Sequence, residues 1–285
     1  MLAYKVSPHL KMLSEKSLAI KKQFFPKKAE EIETGEKDPL CEEKYTVTRG
    51  LIHKYQNRAL VLLTLNCASY CRFCSRRRSV SNIKKGTLTD QDISNMERYL
   101  KKHIEIKELI FSGGDPLTVP LLLKKALKRF CLLPQIKIIR VSTRLHVSDP
   151  KLINKKVLSA LKIIKRQPLY MMVHFEHPAE LTLPTLQAIK KLRSVSTMLL
   201  SQTVMLKGVN DSVDILRKLF TSLIEIGVKP YYLHRCDAVR GANHFVVDLN
   251  KEKEIFFKLK RILSGIAVPL HVADSSSRLG KAMIF

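Results

Sequence analysis

The sequence predicts an α/β protein built on a mainly parallel β-sheet. Six apolar runs of five to seven residues, rich in Val, Ile, Leu, Met or Tyr, alternate with segments of amphipathic, helical periodicity. This alternation is typical of βαβ units, whose crossover helices place successive strands parallel in one sheet. Periodicity alone does not distinguish an open doubly wound sheet from a barrel. In both, the chemistry lies at the carboxyl ends of the strands.

The predicted elements follow a polar, helical segment over residues 1–50, which is broken between Gly35 and Pro39. The predicted strands cover residues 59–65, 108–112, 136–142, 169–174, 198–204 and 230–234. The predicted helices cover residues 89–102, 118–130, 150–165, 182–192, 211–226 and 250–264, and a short extended run covers 267–273. Thr89, with Asp92 three residues later, forms a capping-box pattern at the start of one of these helices.

Composition limits the class of protein. The 285 residues carry 51 Lys and Arg against 25 Asp and Glu, a formal net charge of +26, and 45% are apolar. This apolar content excludes a disordered chain, and no run approaches the ~18 apolar residues of a membrane-spanning helix. The charge suits nucleic acid, but Lys is spread over apparent helix faces without a single-sign tail. We interpret most of it as surface Lys, with an acidic macromolecule or anionic small ligands as the alternatives.

Residues 1–13 have neither the apolar region nor the small-residue cleavage site of a signal peptide. We therefore expect a cytoplasmic protein. The six cysteines agree with this expectation, because three of them cluster within eight residues instead of forming the even spacing of a disulfide framework.

A polar motif follows each predicted strand at the point where the strand ends. Structural strand ends require no such run of His, Cys, Asp and Arg, so the regularity indicates an enzyme. The motifs begin at Asn66, Ser112, Ser142, His174, Ser201 and His234.

The first of these motifs has the spacing C-x3-C-x2-C, formed by Cys67, Cys71 and Cys74. Three soft thiolates suit an iron–sulfur cluster or zinc, and three buried cysteines without a metal are the structural alternative. Structural zinc normally has four protein ligands. A four-iron cluster on three thiolates instead leaves one iron open to a ligand, so the sequence favours a 4Fe-4S cluster here.

The cysteine loop, with an aromatic residue just before its last cysteine, resembles the signature of the radical S-adenosylmethionine (radical SAM) superfamily. The resemblance implies a partial (β/α)6 barrel, a 4Fe-4S cluster on the three cysteines, and S-adenosylmethionine bound to the open iron as the source of a 5′-deoxyadenosyl radical. Two glycines let a backbone approach a ligand closely, and a carboxylate pairs with an ammonium. The residues expected to contact S-adenosylmethionine are Ser112, Gly113, Gly114, Asp115, His174 and Gln202.

Six blocks of sequence further resemble the lysine 2,3-aminomutase family (KamA family), in that family's order. This resemblance implies an isomerase that converts L-lysine to β-lysine through a hydrogen abstracted from C3, with pyridoxal phosphate carrying the nitrogen. It also implies an N-terminal helical extension over 1–50, a barrel over 51–248 and a short C-terminal cofactor-binding segment over 249–285. The blocks cover residues 70–78, 111–117, 174–180, 202–211, 230–237 and 241–245.

Pyridoxal phosphate is expected to form a Schiff base with Lys281. The family pattern is an Asp, a glycine-rich run and the Lys; here Asp274 precedes Lys281 by seven residues, but only Gly280 of the glycine run is kept. A solvated lysine is the alternative interpretation. Tyr55 and Arg58 match a second block of the family near this cofactor and are expected to contact it.

The family resemblance also assigns the two ends of the substrate. Arg76 would hold the carboxylate through a bidentate fork, and Asp237 and Asp274 would hold the ε-ammonium. The alternatives are a solvated basic turn for Arg76 and a cap or turn role for each Asp. Paired carboxylates argue against a glutamate-type aminomutase, which would need cations at this position.

The expected partners are L-lysine and an external reductant such as flavodoxin or ferredoxin. No association with a membrane is expected. Two features resemble the relatives that make (R)-β-lysine for elongation factor P. One is the end of the sequence soon after Lys281, and the other is the set of residues at His234 and over 241–245. A catabolic or other amino-acid 2,3-aminomutase is the alternative. A non-enzymatic, basic iron–sulfur or nucleic-acid-binding protein would explain the charge but not the ordered motifs.

Overall fold

The computed structural model describes residues 2–32, 34–278 and 280–284, apart from the side chains of Lys84 and Lys85. In this described part, ten strands form one sheet whose spatial order is their order in the chain. They are β1 (Thr46–Thr48), β2 (Leu51–Tyr55), β3 (Arg58–Thr64), β4 (Glu108–Gly113), β5 (Ile138–Thr143), β6 (Leu169–His174), β7 (Met198–Met205), β8 (Lys229–Arg235), β9 (Leu270–Ala273) and β10 (Ala282–Met283).

Helices connect the strands and cover the outside of the sheet. Among the described helices, none is long and apolar enough to cross a lipid bilayer. They are α1 (Pro8–Lys16), α2 (Leu18–Phe24), α3 (Ile83–Gly86), α4 (Asp90–Lys102), α5 (Pro120–Phe130), α6 (Leu145–Ser148), α7 (Lys155–Leu161), α8 (Leu183–Arg193), α9 (Val213–Glu225) and α10 (Leu249–Ile262).

Strands β3 to β9 pair in parallel, while β1 and β2 extend one edge and β10 the other in antiparallel pairs. Within the described residues the outer strands β1 and β10 do not pair with each other, so the sheet forms a partial barrel. This confirms the predicted α/β class with a mainly parallel sheet.

Side chains alternate between the inside of the barrel and the helical layer, as the pleat of a strand requires. On β4, Leu109 and Phe111 are fully buried in the apolar core, and the ring of Phe111 stacks on Phe130 of α5 with 6.3 Å between centroids. Ile110 and Ser112 of the same strand face a central cavity. One face of the sheet therefore stabilises the fold, and the other is left for function.

The six predicted strands and most predicted helices are confirmed, with boundaries that differ by at most two residues. The helix predicted over 150–165 is shorter: a 3-10 turn occupies Pro150–Leu152, and Asn154 then caps α7. The extended run predicted over 267–273 is observed as β9. This strand begins only at Leu270, because a turn occupies Gly265–Ala267. The hairpin of β1 and β2 was not predicted. The proposed division of the chain at residues 50 and 248 stays a prediction, since one sheet spans both points.

The first residues of the chain lie across the loop that carries the three cysteines. Ser7 and Ser17 cap α1 and α2, each accepting a hydrogen bond from a backbone N–H three residues later. The backbone N of Tyr70 donates to the carbonyl of Lys5 at 2.9 Å, and that of Arg72 donates to the carbonyl of Gln23 at 2.8 Å. The cysteine loop is thus held by backbone contacts from a segment far away in sequence.

A buried ion network reinforces these contacts. The Glu30 carboxylate accepts from Arg72 Nε at 2.9 Å and from Arg77 Nη2 at 2.8 Å. Arg72 is fully buried and also donates to the carbonyls of Leu2 and Ala3. Because a buried charge is strongly destabilising without its partner, Glu30 is required once the two guanidinium groups are buried.

Replacing Glu30 with Ala is predicted to lower the free energy of unfolding by about 3–5 kcal/mol, because two buried guanidinium groups then lack a counterion. Urea unfolding followed by circular dichroism measures this. Glu31→Ala, at an exposed neighbouring position, is the matched control and is predicted to change stability by less than about 0.5 kcal/mol. Equal effects of the two substitutions would contradict the role of Glu30.

The same network predicts how stability depends on pH. Burial opposes ionisation of Glu30, but hydrogen bonds and charges from Arg72 and Arg77 hold its pKa below the usual value. The stabilisation is therefore present above the unfolded-state pKa of about 4.3 and is lost as pH falls through the folded-state pKa. The neutral Glu30→Gln protein is predicted to lose less stability than the wild type over that pH range.

Candidate functional site

A cavity of about 850 Å³ lies inside the partial barrel, near the upper end of the size range of ligand pockets. It is lined by alternate residues of the strands and by the loops at their carboxyl ends. Every site residue predicted from the sequence lines this cavity. They are Tyr55, Arg58, Cys67, Cys71, Cys74, Arg76, Ser112, Gly113, Gly114, Asp115, His174, Gln202, Asp237, Asp274 and Lys281.

The three cysteines of the loop after β3 occupy one side of the cavity. All three are free and partly exposed, and burial raises the pKa of each thiol, to about 11 for Cys74. Arg144, directly after β5, donates from Nη1 to Cys71 Sγ at 2.9 Å. A thiol with a high pKa ionises when it binds a metal, so these side chains are suited to a metal centre that supplies the positive charge.

The three sulfur atoms do not lie together at the spacing of a single zinc ion. Tetrahedral zinc with Zn–S bonds of ~2.3 Å would place its sulfur ligands ~3.8 Å apart. Among the described residues, the three cysteines do not form a group whose ligand atoms all lie within 4.8 Å of one another. At least one pair of sulfurs is therefore wider apart than in a tetrahedral zinc site.

In the described part of the chain, the side chains of His53, His103 and Glu105 do form a group whose ligand atoms all lie within 4.8 Å of one another. These side chains do not line the cavity. His53 Nδ1 already lies 2.9 Å from the hydroxyl of Tyr99, and His103 Nδ1 lies 2.8 Å from Glu105 Oε1. Because the side chains satisfy one another, we assign no metal to this group.

The two glycines after β4 pack against the end of β3. A Cβ atom on Gly113 would lie 2.2 Å from the carbonyl oxygen of Thr64, and one on Gly114 would lie 2.2 Å from that of Asn66. Gly113 also has a φ of +125°, which favours glycine. The sequence predicted a close approach to a ligand, whereas the structure shows that the closest neighbour is the protein's own backbone.

The carboxylate of Asp115 joins the loops after β4 and β5. It accepts hydrogen bonds from Thr143 Oγ1 at 2.8 Å, from the backbone N of Arg144 at 2.8 Å and from that of Leu117 at 3.0 Å. Both oxygens therefore hold the two loops together from within the protein. The contact of this carboxylate with an ammonium group stays a prediction, as do the contacts of Ser112 and the glycine backbone with a ligand.

Arg76 lies beside Ser112, but its fork is already occupied. Nη2 and Nε donate to the carboxylate of Glu42 at 2.7 Å and 2.9 Å, and Nη1 donates to Ser112 Oγ at 3.1 Å. Glu42 is buried and was not predicted as a site residue, because it lies in the N-terminal segment away from any strand end. In the sequence, the only indication of a role for Glu42 is that it lies shortly before the first strands of the core.

Another part of the cavity lining carries the C-terminal residues predicted from the sequence. Lys281 Nζ lies 2.5 Å from Asp274 Oδ1, and His234 Nδ1 donates to Asp274 Oδ2 at 3.1 Å. Burial opposes ionisation of Asp274, but these two partners hold its pKa well below the usual range. Burial and the charge of Asp274 raise the pKa of Asp237 to about 6. The structure therefore brings together Asp237, Asp274 and Lys281.

Lys54 is a further lysine of the cavity lining that sequence reasoning did not select. Its Nζ donates to the carbonyls of Leu40, at 3.1 Å, and Ser275. Burial lowers its pKa. Nearby, the Arg58 guanidinium lies 4.0 Å from the ring centroid of Tyr55. The amines and guanidinium of this side suit an aldehyde cofactor that carries a phosphate, since lysine reacts with the aldehyde and cations bind the phosphate.

His174 and Gln202 also line the cavity. His174 ends β6, and Gln202 lies within β7; the two are directly paired in the parallel register, so both side chains point into the cavity side by side. Neither needs a special loop to reach the site; the strand register alone places them there.

A family model described as Radical SAM superfamily matches residues 61–219, more than half of the chain. This range begins within β3 and includes the three cysteines, the glycine loop, His174 and Gln202.

Several curated proteins are similar over most of the chain. The L-lysine 2,3-aminomutase of Escherichia coli (strain K12) is 38% identical over 233 residues, which are 81% of this chain and 67% of that protein. The L-lysine 2,3-aminomutase of Acetoanaerobium sticklandii is 34% identical over 268 residues, 93% of this chain and 64% of that protein. A protein of Aquifex aeolicus, provisionally named for the same activity, is 39% identical over 249 residues, 87% of this chain and 66% of its own length. The chain spans about half to two thirds of the length of the curated relatives it matches.

Proposed function

The chain belongs to the radical SAM superfamily and to the family of L-lysine 2,3-aminomutases, and on this premise we propose that it is an isomerase that converts L-lysine to β-lysine. One observation carries the proposal. A single cavity is lined by three thiols and by an amine that lies with two carboxylates. A substrate between them would meet both sets of groups.

We assign the cysteine side to the 4Fe-4S cluster and S-adenosylmethionine. Cys67, Cys71 and Cys74 would hold the cluster and leave one iron open. Ser112 and the backbone of the glycine loop, with His174 and Gln202, would hold S-adenosylmethionine, while Asp115 would position the loop. When bound, these groups supply a carbon-centred radical that removes a hydrogen atom from the substrate.

We assign the part of the lining around Lys281 to pyridoxal phosphate, a cofactor that delocalises an unpaired electron. Lys281 would hold the cofactor through its amine, and Tyr55 and Arg58 would contact it. Cofactors and substrate that fill the cavity would exclude water, which protects reactive species and strengthens charge interactions inside it.

The substrate is proposed to lie between two charged groups of opposite sign. Arg76 would bind the carboxylate of L-lysine, and Asp237 and Asp274 would bind its ε-ammonium. In the structure, Glu42 pairs with Arg76 and Lys281 pairs with Asp274. The substrate would bring its own carboxylate to Arg76 and its own ammonium to Asp274 in place of these internal partners.

The partners and the compartment are also proposed. A one-electron donor such as flavodoxin or ferredoxin would reduce the cluster, and the net charge of +26 favours a donor with an acidic surface. Free cysteines that hold a cluster require a reducing compartment, so we propose the cytoplasm. The motif over residues 241–245 supports (R)-β-lysine for elongation factor P as the product's use.

The activity is tested with protein reconstituted anaerobically with iron and sulfide, then given dithionite, S-adenosylmethionine, pyridoxal phosphate and either L-lysine or L-glutamate. Mass spectrometry is expected to find β-lysine with L-lysine and no β-amino acid with L-glutamate, because the far end of the site is acidic. Formation of 5′-deoxyadenosine without β-lysine would reject the substrate and keep the superfamily chemistry. Cluster-free protein that binds RNA would reject both.

Two lysines of the cavity can react with pyridoxal phosphate, and we predict that Lys281 is the one that does. Borohydride reduction of the cofactor-loaded protein fixes the label, and peptide mass spectrometry locates it. Lys281→Ala is expected to abolish the label, whereas Lys54→Ala, the matched control from the same cavity, is expected to retain it. Labelling of Lys54 in the wild type would overturn the assignment.

The acid pair predicts a pH dependence of kcat/KM for L-lysine. The pKa of Asp237 is raised to about 6 by burial and by Asp274, and only its charged form attracts an ammonium. Between pH 7 and pH 5, kcat/KM is therefore expected to fall about tenfold. Asp237→Asn should lower the value at pH 7 and flatten this acid limb. An unchanged limb in that variant would assign the titration to another group.

A further inference from the structure

Arg144 is held in place by groups from three parts of the chain. Its guanidinium lies 4.8 Å from the ring centroid of Phe24 on α2 and 5.3 Å from that of Phe73 in the cysteine loop. Nη2 contacts Glu180 Oε1 at 3.0 Å and the amide oxygen of Gln23. The two rings fix the plane of the guanidinium, and the acceptors fix its rotation.

This arrangement points Nη1 of Arg144 at Cys71 Sγ, 2.9 Å away. We propose that Arg144 is a positioning residue that sets the reduction potential of the iron–sulfur cluster through its charge and its hydrogen bond to the Cys71 sulfur. This inference rests on the proposed function, since it requires the cluster on Cys67, Cys71 and Cys74.

The direction of the effect follows from the charges. One electron from a low-potential donor reduces the [4Fe–4S]²⁺ core to [4Fe–4S]⁺, so the core with its three thiolates changes from −1 to −2. A cation and a donor at a ligand sulfur stabilise the more negative form, and hydrogen bonds to sulfur are an established means of tuning such clusters. The side chain of Arg144 is only 10% exposed, so solvent screens this interaction weakly.

Glu180 acts against Arg144. Its carboxylate is fully buried, and it accepts hydrogen bonds from Arg144, from the side-chain amide of Gln23 and from the backbone N of Glu176. Its negative charge partly cancels the field of the guanidinium at Cys71. Neutralising Arg144 and neutralising Glu180 should therefore shift the cluster potential in opposite directions.

The test is a redox titration of the anaerobically reconstituted full chain, followed by electron paramagnetic resonance without S-adenosylmethionine or lysine. Compared with the wild type, Arg144→Gln is expected to lower the ratio of reduced to oxidised cluster at fixed potential about tenfold, ~59 mV for one electron. Glu180→Gln is expected to raise the ratio. Arg144→Lys keeps the charge and is expected to recover most of the loss.

A purely structural role for Arg144 would shift both neutral variants in the same direction, or neither, and either result would overturn the inference. If Arg144→Gln fails to assemble a cluster, the comparison of wild type, Arg144→Lys and Glu180→Gln still decides, because only a charge effect separates them in the expected order. A wild-type protein that takes up no four-iron cluster would instead reject the proposed function.

Discussion

The buried carboxylate of Glu30 is the contact on which the cysteine loop depends. Arg72 stands between Cys71 and Cys74, and its side chain turns away from the cavity to reach Glu30. The backbone of Arg72 is fixed at the same time by the carbonyl of Gln23. With this residue held, the flanking cysteines and their thiols face the cavity. The N-terminal segment is therefore part of the site's framework, although it supplies none of the proposed cluster ligands.

A second constraint is charge balance inside the barrel. The proposed substrate is a zwitterion that also carries a side-chain ammonium, so a cavity that binds it would need buried groups of both signs. Arg76 is paired with Glu42 and Asp274 with Lys281, which avoids the large cost of isolated buried charges. These internal partners resemble the carboxylate and the ammonium of the proposed substrate. The affinity for lysine would then depend on the free-energy difference between its ion pairs with Arg76 and Asp274 and the internal ion pairs that they replace. Ligands that match both ends of the site would be favoured.

The sequence predicted the strands of the barrel and the location of the site, because both follow from local patterns. Apolar runs mark the buried strands, and parallel pairing brings their carboxyl ends together, as His174 and Gln202 show. It could not predict contacts that depend on distant segments. Glu30, Glu42 and Lys54 were not recognised as site or framework residues. Their contacts join the N-terminal segment to distant parts of the chain, so only the folded structure shows them. The loop contacts of Asp115 were hidden for a related reason: a carboxylate at a strand end suits a ligand or a neighbouring loop, and its donors at Thr143 and Arg144 lie far away in sequence.

The account depends on one cavity in which both cofactors act on the same lysine molecule. The most direct test follows hydrogen transfer with L-lysine that carries deuterium at C3, using the reconstituted protein with both cofactors. The account predicts that deuterium appears at the 5′ carbon of the nucleoside and in the β-lysine product, since the hydrogen passes between the two sides of the cavity. Unlabelled 5′-deoxyadenosine, or β-lysine formed without any transfer to the nucleoside, would contradict it.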